Sequence, residues 1–286
     1  MKTKLWLKAI TVISLLFSCI QAQAQQVDYW RSDSVKVMRL LHKAKEQKQG
    51  TNFMIFFARQ FLGLPYVAKT LEKNDDERLV VNLRQLDCTT FVETVTALTR
   101  CMQQERLTFA AYCDNLRQIR YRGGVVSYPN RLHYFTAWIN DNVRKGIVRD
   151  IQGPNPPFTA VQHVRANYMT THVSLYPMLV KHPEWIPEIK KMEDSITGRN
   201  YRYIPRAQLT NSKLLRATVH DGDIVAYLTS RQGLDTSHLA IALWQRDGLH
   251  FIDASAVRHK VVVDKLISRY MAEHPSHLGI RIVSVL

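Results

Sequence analysis

The feature that most constrains the fold is a change of periodicity along the chain. From Asp87 to Met102 the apolar residues Phe91, Val95, Leu98 and Met102 recur at i, i+4, i+7 and i+11, which is one face of an α-helix. Residues 33–49 carry a similar stripe (Val37, Leu40, Leu41, Ala44), with Ser32, Asp33 and Ser34 as available N-caps and Gly50 as a stop. Residues 52–62 make a third helical segment, stopped by Gly63 and Pro65, and residues 108–120 a fourth, closed by Gly123-Gly124. Late in the chain the pattern becomes strand-like. Ile224–Leu228, Leu239–Trp244, Leu249–Asp253 and Lys260–Val263 are short runs of β-formers and aliphatics, and Gly279–Leu286 reads as a last strand. Asp247-Gly248 is a hairpin signal between the second and third runs, and a register centred on it pairs Asp253 with Ala242. Helices first and an antiparallel sheet later predict an α+β fold. The stretch from about 100 to 215 is expected to be a large, mostly helical insertion within a single domain spanning 25–286. It is rich in Tyr, Pro, His and Arg, and beyond 125 its one clear helical signal covers 184–197, after Pro183.

The first residues read as an export signal. Lys2, Lys4 and Lys8 precede an apolar run from Ala9 to Ile20, and Ala22-Gln23-Ala24 has the small-x-small pattern of a cleavage site. A leader over 1–24 is therefore expected, and an exported, periplasmic or secreted, mature chain. The apolar run is too short for a membrane span. A competing reading takes Leu16-Phe17-Ser18-Cys19 as a lipoprotein processing site with Cys19 bearing lipid, although Phe17 is bulky for that position. The formal charge is +15; loss of residues 1–24 removes three lysines and no acid, leaving +12. A basic exported chain meets no nucleic acid, whereas carboxylate-rich cell-wall material is a natural partner.

Hydrolysis of an amide by a thiol needs a thiolate, a base and donors for the oxyanion. Cys88 follows a plausible N-cap, Asp87, so it falls in the first turn of a helix, where free N–H groups and the positive dipole end favour a thiolate. Cys101 and Cys113 lie inside helices with no such setting, as structural cysteines do. His238 opens the strand-like run Leu239–Leu243, and an imidazole near neutrality is the usual base. Asp253 lies on the next strand and is the candidate to orient the imidazole, provided the pairing slips toward His238. No spacing of Cys and His fits a zinc site, and neither metal nor cofactor is expected.

These residues carry a resemblance. Leu86-Asp87-Cys88-Thr89-Thr90-Phe91-Val92-Glu93 resembles the nucleophile motif of NlpC-type papain-like cell-wall amidases and peptidases. Gly63-Leu64-Pro65-Tyr66 is similar to their turn ahead of the nucleophile, and Asp221-Gly222-Asp223-Ile224-Val225 to their strand entry. Ser237-His238-Leu239-Ala240-Ile241 resembles the base motif and Phe251-Ile252-Asp253-Ala254-Ser255 the strand of the third residue. The five occur in the family's order. The N-acetylmuramoyl-L-alanine amidase-like branch is similar over most of the mature chain, including Arg131-Leu132-His133-Tyr134-Phe135 and Gly233-Leu234-Asp235. The resemblance implies a papain-like core in which a cysteine-bearing helix packs on the antiparallel sheet that bears the histidine. It implies cleavage of the bond between the lactyl group of muramic acid and L-Ala in peptidoglycan fragments. Cys88 would be the nucleophile, His238 the base and Asp253 the orienting residue, with Tyr66 lining the site. Tyr134 and Ser237 are further candidates to touch substrate, against the plainer readings of core aromatic and turn residue.

Two departures from the pattern stand out. Many NlpC-type enzymes have His, Asn or Gln where Asp253 stands, and Cys88 and His238 lie 150 positions apart. The rival readings are a transglutaminase-like order of Cys, His and Asp, an endopeptidase cutting between D-Glu and diaminopimelate, and a non-catalytic wall-binding module.

Overall fold

The computed structural model describes residues 27–286. The expected leader over 1–24 and Cys19 lie outside the described residues. Five helices come first: α1 (Arg31–Lys45), α2 (Phe53–Gln60), α3 (Cys88–Gln103), α4 (Phe109–Arg120) and α5 (Phe135–Arg144). They are followed by α6 (Tyr168–Thr171), α7 (Pro177–Lys181), α8 (Ile186–Ile196), α9 (Lys213–Thr218) and α10 (Ile267–Glu273). The strands are β1 (Val27–Tyr29), β2 (Leu79–Val81), β3 (Val148–Ile151), β4 (Ala160–His163), β5 (Asn200–Pro205), β6 (Ile224–Thr229), β7 (Thr236–Trp244), β8 (Leu249–Ser255), β9 (Lys260–Val263) and β10 (His277–Val285).

Side-chain oxygens set several of the helix starts. Asn52, Thr108 and Ser212 each accept a backbone N–H from the first turn of α2, α4 and α9. The first helix begins earlier than its Ser-Asp-Ser run suggests. Asp33 sits in its first turn, fully buried, and reaches back to the Trp30 N–H. The other acceptor sites of that carboxylate serve a distant segment: Leu83 N–H donates at 2.9 Å and Arg84 Nε at 3.2 Å. Asp33 thereby ties α1 to the chain that leads into α3.

Eight strands form one antiparallel sheet in the order β4-β5-β10-β6-β7-β8-β9, with β3 pairing alongside β10; β1 and β2 form a separate parallel pair. The mixed α+β class with an antiparallel sheet agrees with the change of periodicity. The region 100–215 departs from expectation: besides helices it supplies β3, β4 and β5, which belong to the same sheet as β6–β10. These strands are four to six residues long with polar positions among the apolar ones, so they leave little periodic signal.

Every residue of β6 and β8 is buried, because both faces of the sheet are covered. Ile224, Ala226, Leu239, Ile241, Ile252 and Ala254 face a core shared with α1–α3, including Leu41, Phe57, Phe91, Val95 and Leu98. Val225, Tyr227, Ala240, Ala242 and Phe251 face a second core with Leu215 and Val219 of the α9 region and Ile267, Tyr270 and Met271 of α10. Phe91, Val95 and Leu98 are fully buried, and each such side chain contributes roughly 1.5–3 kcal/mol. The face that defines α3 in the sequence is the one that seats it on β7 and β8.

Candidate active site

The site begins with the cap of α3. Asp87 accepts the Thr90 N–H at 2.8 Å, and the Thr90 hydroxyl accepts the Asp87 N–H at 2.9 Å, a reciprocal cap. Cys88 is then the first helical residue, and the backbone N–H groups of Cys88 and Thr89 find no acceptor among the described residues. The Cys88 thiol is half-buried and free. Cys101 and Cys113 are buried, and burial raises both thiols, Cys113 to about 12, which makes them inert.

Gly63-Leu64-Pro65-Tyr66 stitches this helix start to the sheet. Gly63 leaves α2 with a φ of +83°, a backbone conformation that a side chain disfavours. Gly63 and Tyr66 then donate to Val261 and His259 at the outer edge of β9, while Leu86 donates to Pro65 and Val67 to Leu86. Tyr66 is thereby set beside Cys88. Burial, then the negative charges of Cys88 and Asp87, push its hydroxyl up to about 12, so it stays a neutral donor.

His238 comes from β7. It pairs with Tyr227 on β6, and the register then slips so that Leu228 faces Thr236, leaving Ser237 as a bulged residue. A bulge of this kind re-aims the neighbouring side chain. The His238 Nε2 lies 2.7 Å from Asp253 Oδ2, with side-chain exposures of 13% and 1%. That leaves Nδ1 for the thiol. Burial alone would lower the imidazole, but the Cys88 charge and the Asp253 contact outweigh it and raise His238 to about 10. Cys88 stands close enough to His238 for its charge to be the largest of the effects that raise the imidazole.

Asp253 reaches His238 because the hairpin register differs from the expected one. Trp244 pairs with Leu249 and Ile241 with Ile252, so the turn centres on Arg246-Asp247 and not on Asp247-Gly248. One step further along, Asp253 lies beside Ala240 and diagonal to His238, two residues away and not four. Gln245 N–H donates to Gly248 O across the turn, which puts glycine at the fourth turn position.

Ser237 is exposed next to His238 and stays accessible to a ligand. Tyr134 is corrected: it is 3% exposed, and its hydroxyl donates to Glu193 at 2.8 Å and accepts the Met169 N–H, so it is a core residue with no free group for a substrate. Sequence reasoning missed the ring pack behind His238. Tyr227 lies 5.7 Å from the imidazole, Tyr270 lies 6.5 Å away, and His274 stacks on Tyr270 at 4.1 Å. The missed anchor is Asp235. It is 2% exposed and accepts the N–H groups of Thr136 and Thr236, while its carbonyl accepts from Gln162. It fixes the start of β7 to α5 and β4, and its only sequence signal was membership of the Gly233-Leu234-Asp235 motif. Asp221-Gly222-Asp223 is also a clamp: the Gly222 N–H bonds Ala242 O, and a Cβ at Gly222 would collide with the Asn52 side chain.

A helix-capped cysteine facing a histidine–aspartate pair can be compared with known proteins. The family model described as AmiA-like, N-acetylmuramoyl-L-alanine amidase-like, matches residues 56–280. The chain belongs to this family. An N-acetylmuramoyl-L-alanine amidase from Bacteroides uniformis shares 37% identity at a TM-score of 0.77, covering 84% of this chain and 100% of that one. A Bacteroides fragilis structure described as a candidate xylanase shares 37% identity at a TM-score of 0.75, over 80% of this chain and 99% of its own. A Legionella pneumophila protein shares the fold at 21% identity and a TM-score of 0.68, over 94% and 96% of the two chains. Among curated proteins none matches this chain. The protein is thus a member of an amidase-like family of cell-wall hydrolases. Among its described residues no helix is long and apolar enough to cross a membrane, and no three His, Cys, Asp or Glu side chains cluster as metal ligands.

Proposed function

We propose that this protein is an exported cysteine amidase with an NlpC-type papain-like core, which hydrolyses the amide between N-acetylmuramic acid and L-Ala in peptidoglycan fragments. The observation that carries the reading is the His238–Asp253 contact of 2.7 Å beside a thiol at the first residue of α3. In this mechanism His238 Nδ1 takes the Cys88 proton, and the thiolate attacks the lactyl carbonyl. The N–H groups of Cys88 and Thr89, helped by the Tyr66 hydroxyl, hold the oxyanion. The imidazolium, oriented by Asp253, then gives its proton to the leaving amine of L-Ala as the C–N bond breaks. Water, deprotonated by His238, opens the thioester and frees the lactyl carboxylate and the thiol. A glycoside-cleaving role is disfavoured by the same geometry. Such enzymes place two carboxyl groups about 5–9.5 Å apart across the bond, and here one aspartate is committed to a histidine beside a thiol.

The test is mass spectrometry of defined muropeptides incubated with the mature protein and with Cys88→Ala. Release of the sugar as free acid plus an intact peptide, by the unaltered protein alone, is expected. A shortened stem would mean an endopeptidase, and no cleavage of any muropeptide would set the reading aside.

A further inference from the structure

A cavity of about 540 Å³ opens where β4, β5 and the β6–β7 turn meet, on the chain that leads into β7. Arg165, Arg231, Asn167 and Tyr203 line it, and no aspartate or glutamate does. The buried arginines of the molecule are committed: Arg120 to Glu93, Arg131 to Glu72, Arg281 to Asp150. Arg165 and Arg231 are exposed and meet no carboxylate among the described residues. Their loops are held in place. Gly233 has a φ of +79°, its carbonyl accepts the N–H groups of Asn167 and Tyr168 at 3.2 Å, and a Cβ there would collide with the Asn167 side chain and crowd the Tyr168 backbone. Leu234 lines it, and His238 follows four positions later, so their Cα atoms lie within about 14 Å of each other.

We propose that this cavity is a carboxylate-binding subsite for the distal part of an acidic peptide. The inference rests on the amidase reading for the identity of that peptide. In the proposed substrate the acyl side is a neutral acetylated sugar and the leaving side is a peptide rich in carboxylates, so two unpaired guanidiniums favour the peptide. Reach selects which carboxylate. An extended peptide covers at most about 3.3–3.6 Å per residue. About three to four residues match the span from His238 to Leu234, so the subsite is assigned to the carboxylates of the third and fourth stem residues and not to those of the second.

The experiment measures binding by calorimetry to Cys88→Ala, with and without Arg165→Gln and Arg231→Gln together. The ligands are a muramyl tetrapeptide with free carboxylates, the same compound with its carboxylates amidated, and the muramyl dipeptide. Turnover of the same compounds by the chain with its cysteine intact runs in parallel. The arginine changes are expected to weaken binding of the acidic tetrapeptide about tenfold, a loss of about 1.4 kcal/mol, and to leave the other two within about twofold. Equal losses on all three ligands, or none on the acidic tetrapeptide, would overturn the subsite. Arginine-dependent binding without any turnover would keep the subsite and remove the amidase reading; turnover with arginine-independent binding would do the reverse.

Discussion

Asp253 acts on the chemistry only through His238, so its removal has a specific signature. Asp253→Asn keeps the shape of the pair but cannot hold the same imidazole tautomer or balance its charge. The expected result is a fall in kcat of about 10²–10⁴-fold with KM little changed, read from steady-state kinetics on a muropeptide. His238→Gln removes the cation beside the sulfur, and alkylation of Cys88 by iodoacetamide at pH 7 is expected to slow about tenfold or more. His277 gives a pH-dependent prediction of the opposite kind. Burial, then His274 and His238, lower it from 6.5 to about 4. Between those values the unfolded chain binds a proton that the folded chain refuses, so stability falls as pH drops from about 6.5 to 4. The full effect is on the order of 3 kcal/mol, and His277→Gln should flatten this part of a plot of urea midpoint against pH.

At the scale of elements, α3 is held at both its cap and its middle. Glu93, inside the helix, receives Arg120 Nε at 2.6 Å, and a second nitrogen of Arg120 donates to Val80 O at 2.8 Å. Both side chains are buried, so one ion pair joins α3, α4 and β2 in the core. Arg120→Met leaves the Glu93 carboxylate unpaired in a dry site, and a destabilisation of about 3–5 kcal/mol is expected in chemical unfolding. The register of the β7–β8 hairpin belongs to this scale as well. A slip of two residues keeps every side chain on its own face, so alternation of apolar and polar positions cannot distinguish the expected pairing from the observed one. The turn decides it, through the Gln245–Gly248 bond, and that choice brings Asp253 next to His238.

At the scale of the whole molecule, the region 100–215 is part of the architecture. β3 and β5 pair with β10 on the side away from β6, β4 extends that edge, and Gln162 of β4 donates to the carbonyl of Asp235, just ahead of the strand that bears His238. Excision of 100–215 therefore exposes β10 and the helix-side core, and an insoluble product is expected on expression. We propose that the same region also walls one approach to the site, which would favour small soluble fragments over intact polymer. Digestion of muropeptides is expected to outpace digestion of sacculi when the two are compared side by side, and equal rates would count against enclosure.

The sequence by itself determined what depends on near neighbours. The period of α3, the Asp87 cap, the placing of Cys88 in its first turn and the order of helices before strands all follow from spacing within a few turns. The position of His238 near the start of its strand was legible for the same reason. Tertiary structure alone decided what depends on distant partners. It slid β8 past β7, drew three weakly patterned strands into the sheet, and buried Tyr134 against Glu193, a residue 59 positions away. Local patterns record which face of an element is apolar. They do not record which neighbour covers that face, because that is settled by cores and hydrogen bonds that form only once the chain has closed over itself.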